Sequence, residues 1–345
     1  MNLLLATALA DAHGLPVENL SPHRIARWFP QGLPPFLLLG GRGLMSDDTE
    51  HAAITARAFA LSGGDPERFE RELARGLKRW LWAFPPTTGM ATARALLKLS
   101  TGVSPARAGA TSAGNGACMR APILGALVDD PELLWDLTHR SSRMTHKDPR
   151  AIEGAFLVAR WTQMSRLLGQ RASIKQLKDH THPRHVRPDS PLWLSLAKVE
   201  RSLAQNETAA EFCRRQGWKK GPTGFVMHTV PAVFHVVLGD SRTWEEAVRE
   251  AVVLGGDTDS VAALVGAMRS MVPGQELPEA WVAQWQDWPR SRDWLEATER
   301  AAILAASTRA TVPCPDVSWG ACLARNLLLW GLVVGHCVRR LLPLY

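Results

Sequence analysis

The sequence predicts an all-α fold, a single-domain orthogonal helical bundle. Three observations lead there: apolar residues recur three and four apart through most of the chain, alternating strand patterns are scarce, and helix-opening signals precede apolar runs. Phe69, Leu73, Leu77, Trp80 and Phe84 make one such stripe, at spacings of four, four, three and four, the buried edge of an amphipathic helix. In chain order, helices are expected over 50–62, along the Phe69 stripe, and over 92–100, 150–168, 192–204 and 225–238. Thr243-Trp244-Glu245-Glu246 reads as a capping box opening a helix that buries Trp244, Val248, Ala251 and Val252. Further helices are expected over 259–271 and 292–308.

Two stretches interrupt this pattern. Residues 178–191 are polar and punctuated by prolines, which predicts a loop; its His180, His182 and His185 read as an incidental exposed cluster or as ligands for a transition metal. Near the end, Leu327 to Val338 is apolar, with His336 inside and Arg325, Arg339 and Arg340 around it. About a dozen residues fall short of the roughly twenty that cross a bilayer, so no membrane span is expected. Fourteen tryptophans beside one tyrosine form a bias with no evident cause in the sequence.

The densest chemistry lies in Gly255-Gly256-Asp257-Thr258-Asp259-Ser260, just ahead of the apolar run Val261-Ala262-Ala263-Leu264-Val265. Glycine permits a sharp turn, and oxygen-only ligands suit Mg²⁺ or Mn²⁺ rather than zinc. An EF-hand is excluded, because Val261 fills the fifth loop position and no glycine follows at the sixth. Ser46-Asp47-Asp48-Thr49 is a second cluster. Each alone reads as a helix cap. Joined by Glu18 they would place five carboxylates in one pocket, where like charges about 4 Å apart repel by roughly 4 kcal/mol per pair at an effective dielectric near 20. Two divalent ions would offset that charge. Because these residues come from both ends of the chain, one domain is expected: a core over 1–285, with additional C-terminal helices over 286–345 packed on it.

Five blocks in sequence order resemble the ADP-ribosylglycohydrolase family: Ala10-Asp11-Ala12-His13-Gly14-Leu15-Pro16-Val17-Glu18; Ser46 to Thr49; Ser112-Ala113-Gly114-Asn115-Gly116-Ala117-Cys118-Met119-Arg120; Thr145-His146; and Gly255 to Ser260. The resemblance implies an all-α fold, two Mg²⁺ ions with Mn²⁺ as the alternative, and removal of mono-ADP-ribose from protein side chains. It makes Ser46, Asp47, Asp48, Asp257, Asp259 and Ser260 metal ligands. Asp48 also orients or deprotonates water, and Glu18 coordinates metal or swings aside for substrate. Ser112, Gly114, Asn115 and Gly116 line the diphosphate and His146 sits near the ligand, while Met119 and Arg120 support the loop and Gly89 and Thr92 stand at the cleft mouth. The residues themselves agree with a phosphate role, since the loop is glycine-rich and leads into the apolar run Ile123 to Val128. His13 and His51 read as supporting groups or as structural histidines. The family's register also makes Leu3-Leu4-Leu5-Ala6-Thr7-Ala8-Leu9-Ala10 a buried first helix; it resembles a short signal segment but lacks a preceding Lys or Arg.

Three departures from the family pattern carry expectations. Ser46 and Ser260 replace threonine, which frees a rotamer and should loosen metal binding; Ala10 replaces glycine, a packing adjustment; Ala113 replaces an aromatic residue, which removes a stacking contact.

The net charge of +7 and the pI near 9.5 are spread thinly and lack aromatic interleaving, so a nucleic-acid surface is not expected. Five cysteines without zinc spacing give neither a disulfide framework nor a zinc site and suit the cytoplasm. The expected partners are an ADP-ribosylated protein and ADP-ribose. Three functions stand on these residues: the hydrolase, a binding or catalytically weak protein on the same scaffold, and another magnesium-dependent hydrolase. Among linkages, arginine is favoured over serine, O-acetyl-ADP-ribose and nucleic acid, because a guanidinium leaving group keeps its positive charge beside the carboxylates.

Overall fold

The computed structural model describes residues 2–341, without the side chains of residues 336, 337 and 339–341, so His336, Arg339 and Arg340 around the late apolar run lie outside the described side chains. Eighteen α-helices follow one another there, with short 3₁₀ turns and no strand among the described residues. They are α1 (Leu3–Gly14), α2 (Pro22–Trp28), α3 (Asp47–Ser62), α4 (Pro66–Leu81), α5 (Met90–Ser100), α6 (Pro105–Ala108), α7 (Ala121–Leu127), α8 (Pro131–Arg143) and α9 (Pro149–Leu168). There follow α10 (Ile174–Asp179), α11 (Pro191–Ala204), α12 (Ala209–Arg215), α13 (Val226–Leu238), α14 (Trp244–Val253), α15 (Thr258–Arg269), α16 (Glu279–Gln284), α17 (Arg292–Thr308) and α18 (Trp319–Leu341). The all-α expectation holds. None of the described helices is long and apolar enough to cross a membrane.

Every residue of α1 is buried. A helix apolar on all sides must be enclosed, and α15, α3, α14, α7 and α17 surround it. Where Ala10 takes a glycine's place, the room comes from its neighbour: a Cβ at Gly266 of α15 would lie 2.5 Å from the Ala10 Cβ. The N-terminus of α1 has no side-chain cap from Asn2. Glu299 of α17 replaces it, accepting from the Leu3 and Leu4 amides at 3.1 and 2.9 Å. Buried tryptophans tie elements together in the same manner, Trp161 of α9 donating to the Ala172 carbonyl in the connection to α10 at 2.7 Å and Trp244 of α14 to that of Gly266 in α15 at 2.9 Å. Indole fills a helix–helix gap while its N–H finds a carbonyl, which gives part of the tryptophan excess a use.

Some boundaries differ from expectation. The Phe69 stripe ends at Trp80, because α4 stops at Leu81 and Phe84 adopts φ 53° and is exposed; Pro85 and Pro86 follow, and a residue before proline avoids the α-region. The loop expected from residue 178 starts later, since the capping box of Ser173 and Gln176 carries α10 to Asp179. Of its histidines only His185 is a packing group: it is buried, stacks on Trp135 at 4.9 Å and meets Glu132 at 3.2 Å, while His180 and His182 are exposed, His182 Nδ1 accepting from the Arg184 amide at 3.1 Å. The apolar run from Leu327 belongs to the longer helix α18.

Removing the Glu299 carboxylate leaves two first-turn amides of α1 without an acceptor. Glu299→Ala should cost about 2 kcal/mol of stability, read as a lower urea midpoint, with Glu299→Gln falling between it and the parent. A midpoint unchanged in both variants would show that α17 does not anchor α1.

Candidate functional site: a cleft lined by carboxylates

Three helix termini meet at one cleft of about 750 Å³. The C-terminus of α1 leads to Glu18, the N-terminus of α3 carries Asp47 and Asp48, and that of α15 carries Asp257, Asp259 and Ser260. Gly14 permits the approach of α1 to α15: a Cβ there would stand 2.4 Å from the Thr258 carbonyl oxygen and 2.7 Å from Asp259 Cα. Gly255 and Gly256 take φ of +71° and +75°, as the sharp turn requires. The Gly256 amide donates to the Leu20 carbonyl at 2.8 Å and its carbonyl accepts from the Asn19 amide at 2.7 Å, tying the turn to the segment of Glu18. Carboxylate oxygens of Glu18, Asp257 and Asp259 consequently lie within 4.8 Å of one another, the only such group of three possible metal-ligating side chains among the described residues. Asp47 and Asp48 line the same cleft.

The individual side chains divide into those that face the cleft and those that hold them. Ser46 caps α3: its Oγ accepts from the Asp48 amide at 3.2 Å and donates to Asp48 Oδ2 at 3.3 Å. It is buried and absent from the cleft lining, unlike the other expected ligands. Ser260 Oγ donates to the same Asp48 oxygen at 3.0 Å, leaving Asp48 Oδ1 buried with no partner. Asp257 occupies the N-cap position of α15 without capping it; its Oδ2 instead accepts from Asn115 Nδ2 at 2.6 Å. Asn115, expected along the diphosphate, therefore spends its amide on Asp257 and on Thr229, 3.0 Å away.

Burial is the largest cause of every carboxylate shift here. It pushes Asp47, Asp48 and Asp259 well above the usual carboxylate range, raises Asp257, and brings Asp11 up to about 6, with neighbouring carboxylates adding to the rise at Asp47, Asp48 and Asp259. No arginine or lysine pairs with these groups among the described residues. Buried guanidinium groups are engaged elsewhere, Arg290 with Glu50 and Arg325 with Asp287. A set of oxygen-only groups, crowded, desolvated and with an orphaned Asp48 oxygen, fits a hard divalent cation.

The loop Ser112 to Gly116 borders the same cleft, held by the Asn115 amide to the Gly224 carbonyl at 2.8 Å. It runs into a 3₁₀ turn over Asn115–Arg120 before α7, rather than directly into the α-helix. The space beside the two glycines belongs to His146. A Cβ at Gly116 would stand 2.8 Å from its Cε1, and one at Gly114 would stand 3.2 Å from its Nε2. Buried Arg120 donates to Thr145 Oγ1 at 2.6 Å, and that hydroxyl lies 2.9 Å from His146 Nδ1. With the Thr145 hydroxyl donating to Nδ1, Nε2 carries the proton. Burial first and Arg120 second bring His146 down to about 3, so the ring enters the cleft neutral. Arg120 thus supports the loop as expected, also bonding Ser141 and His51. His13 bonds the Pro35 carbonyl at 2.8 Å and His51 packs edge-on to Trp80, both away from the cleft lining. Gly89 and Thr92 line the cleft, as does Met119.

Three contributors have no expectation behind them. Asp11 accepts from the Ser46 and Thr49 amides at 2.9 and 3.2 Å and from Thr49 Oγ1 at 2.5 Å, holding the first turn of α3. An aspartate alone in an apolar helix was the available signal, since a buried carboxylate needs partners. Thr87 Oγ1 accepts from the Asp47 amide at 3.2 Å. Lys220 is the one lysine or arginine lining the cleft among the described residues.

A sequence model of the ADP-ribosylglycohydrolase family matches residues 1–312. An uncharacterized protein of Archaeoglobus fulgidus is 30% identical over 302 residues, covering 86% of this chain and 92% of its own. A solved structure described as an ADP-ribosylglycohydrolase-related protein complex aligns with TM-score 0.58 at 25% identity, over 88% of this chain and 96% of that one.

Carboxylates raised by burial make the cation-free protein sensitive to pH. The unfolded chain loses these protons near pH 4, whereas the folded chain retains them to higher pH, so stability should fall as pH rises from 5 to 8. In chelator the melting temperature should therefore drop across that interval, and Mg²⁺ should restore it. Asp257→Asn should stabilise the chelated protein at pH 8 by about 1–3 kcal/mol. A chelated protein that melts higher at pH 8 than at pH 5 would contradict this electrostatic account.

Proposed function

Since the chain belongs to the ADP-ribosylglycohydrolase family and is a hydrolase of ADP-ribosyl groups, we propose that it removes mono-ADP-ribose from modified arginine side chains with the help of Mg²⁺. The observation that carries this reading is one cleft lined both by the carboxylates of Glu18, Asp47, Asp48, Asp257 and Asp259 and by Ser112, Gly114, Asn115 and Gly116 of the small loop. Asp47, Asp48, Asp257 and Asp259, with Glu18, are the residues that would hold two ions, Mn²⁺ being the alternative metal. Bound cations supply positive charge that offsets the carboxylates and attracts the ribose hydroxyls.

The chain's own groups supply the rest. Asp48, fixed through Oδ2 by Ser46 and Ser260, orients the attacking water and accepts its proton. Water attacks the anomeric carbon, whose bond to the arginine nitrogen breaks through an oxocarbenium-like state. The surrounding carboxylates favour that developing positive charge. The departing guanidine takes up the proton that Asp48 accepted and leaves as its cation, which restores the carboxylate and needs no dedicated strong acid. Neutral His146 offers an Nε2–H toward the phosphates or ribose, and the small loop lets the substrate lie close to backbone. Four free cysteines among the described residues, Cys118, Cys213, Cys314 and Cys322, support a cytoplasmic setting, where the substrates would be intracellular modified proteins.

Release of ADP-ribose from arginine-modified protein should exceed release from serine-modified protein by about tenfold or more, a transition-state preference of about 1.4 kcal/mol. Chelator should abolish both. Equal rates would remove the arginine assignment, and full activity in chelator would remove the metal.

The loop makes a separate prediction. Gly116→Val would press on the His146 ring and should weaken ADP-ribose binding about tenfold in calorimetry, or about 1.4 kcal/mol, with cation binding retained. Unchanged ADP-ribose affinity would take the loop out of the binding site.

A further inference from the structure

Helix α18 begins at Trp319, after the family match ends at residue 312, yet it reaches the site at two points. Near its start, buried Arg325 donates from Nε to Asp287 Oδ1 at 3.1 Å and from Nη2 to Asp287 Oδ2 at 2.5 Å. The same Nη2 donates to the Met45 carbonyl at 2.6 Å, and Asp287 Oδ2 accepts from the Met45 amide at 3.0 Å. One ion pair therefore grips both backbone polar groups of the residue immediately before Ser46-Asp47-Asp48. Gly43 pairs with Trp285 in an isolated bridge and has no room for a side chain, a Cβ there falling 2.4 Å from Trp285 Cδ1. Further along, Asn326 donates to the Ala83 carbonyl at 2.8 Å and Trp330 to that of Phe84 at 3.1 Å. The following turn puts Val333 in the cleft lining beside the residues from Pro86 to Thr92.

A buried ion pair contributes little net stability over an apolar substitute of the same volume. What this pair adds is direction, because charge-assisted bonds fix the peptide that leads into the cation-facing turn. We propose that α18 is a working part of the cleft: Arg325, with Asp287, is a positioning residue for Asp47 and Asp48, and Val333 forms part of the substrate wall. The proposal rests on the metal-dependent reading above.

The full-length protein tests it with Arg325→Met combined with Asp287→Asn, which removes both charges together, and with Arg325→Lys, which cannot reproduce the bidentate geometry. Mn²⁺ affinity is measured by calorimetry without substrate, alongside the melting temperature in chelator. The double variant should melt close to the parent in chelator but bind Mn²⁺ about 10- to 100-fold more weakly, as outer-shell substitutions do; Arg325→Lys should fall between. Parent-like Mn²⁺ affinity in the folded double variant would overturn the positioning role. If the double variant does not fold, Arg325→Lys decides by the same readout. Val333→Trp should raise the KM for ADP-ribosyl-arginine with Mn²⁺ affinity unchanged, and an unchanged KM would remove α18 from the wall. Calorimetry decides the Arg325 assignment even if ADP-ribosyl-arginine is not turned over, an outcome that would count against the arginine reading alone. A parent protein that binds no Mn²⁺ would instead sink both readings.

Discussion

Like charges held out of water govern the architecture around the cleft. Asp11, Asp48 and Asp259 are all but inaccessible to solvent, and burial is the first cause of their raised proton affinity. The protein supplies hydroxyls and amides to them: Thr49 and Ser46 to Asp11, Ser260 to Asp48, Asn115 to Asp257. Among the described residues it does not supply cationic partners to them, although the chain buries several arginines. Arg120 turns to Thr145, Ser141 and His51, Arg290 to Glu50, and Arg325 to Asp287. Hydrogen bonds fix where carboxylate oxygens point but leave their charge uncompensated, a combination suited to receiving cations in a defined geometry.

Bringing three helix ends to one place sets a steric demand that glycine meets. Gly14 lets α1 touch the backbone of Thr258 and Asp259, and Gly256 passes Pro222 so closely that a Cβ would fall 2.0 Å from its carbonyl oxygen. In the same cleft lining, Gly114 and Gly116 leave room for an imidazole. The glycines around the cleft thus shape the site through what stands beside them, and only Gly255 and Gly256 also need their positive φ.

How much of this was legible follows from how local each signal is. The clusters of α3 and α15 stand out because carboxylates and hydroxyls crowd into a few residues, and the capping box at Thr243 is complete in the structure. Glu18 depended on the family resemblance. The family resemblance makes Ser46 a metal ligand, while its place ahead of a helix also suits it to the cap bond that the structure contains. Helices α2 and α8 were not among the expected elements, although proline at the first helical position after Ser21 or Asp130 marks a start. The Arg325–Asp287 pair had no signal at all: its partners are 38 residues apart and neither lies in a recognisable pattern.

The departures from the family pattern take a different meaning once their neighbours are known. A threonine methyl restricts a rotamer, but Ser46 and Ser260 are restrained by their bonds to Asp48, so the lost methyls bear on packing more than on hydroxyl direction. Ala113 is half-buried against the core, its carbonyl accepting from the Val226 amide at 2.9 Å. No Phe, Trp or Tyr lines the cleft among the described residues; its lining includes the thioethers of Met90 and Met119 and the ring of His146, which stands beside Gly114 and Gly116. A planar group entering from solvent therefore meets polarizable thioethers and a neutral imidazole. Such a surface adapts to a ring without fixing its angle, so orientation of the substrate falls to the two ends of the cleft that carry geometry, the hydrogen-bonded carboxylates and the backbone of the glycine loop.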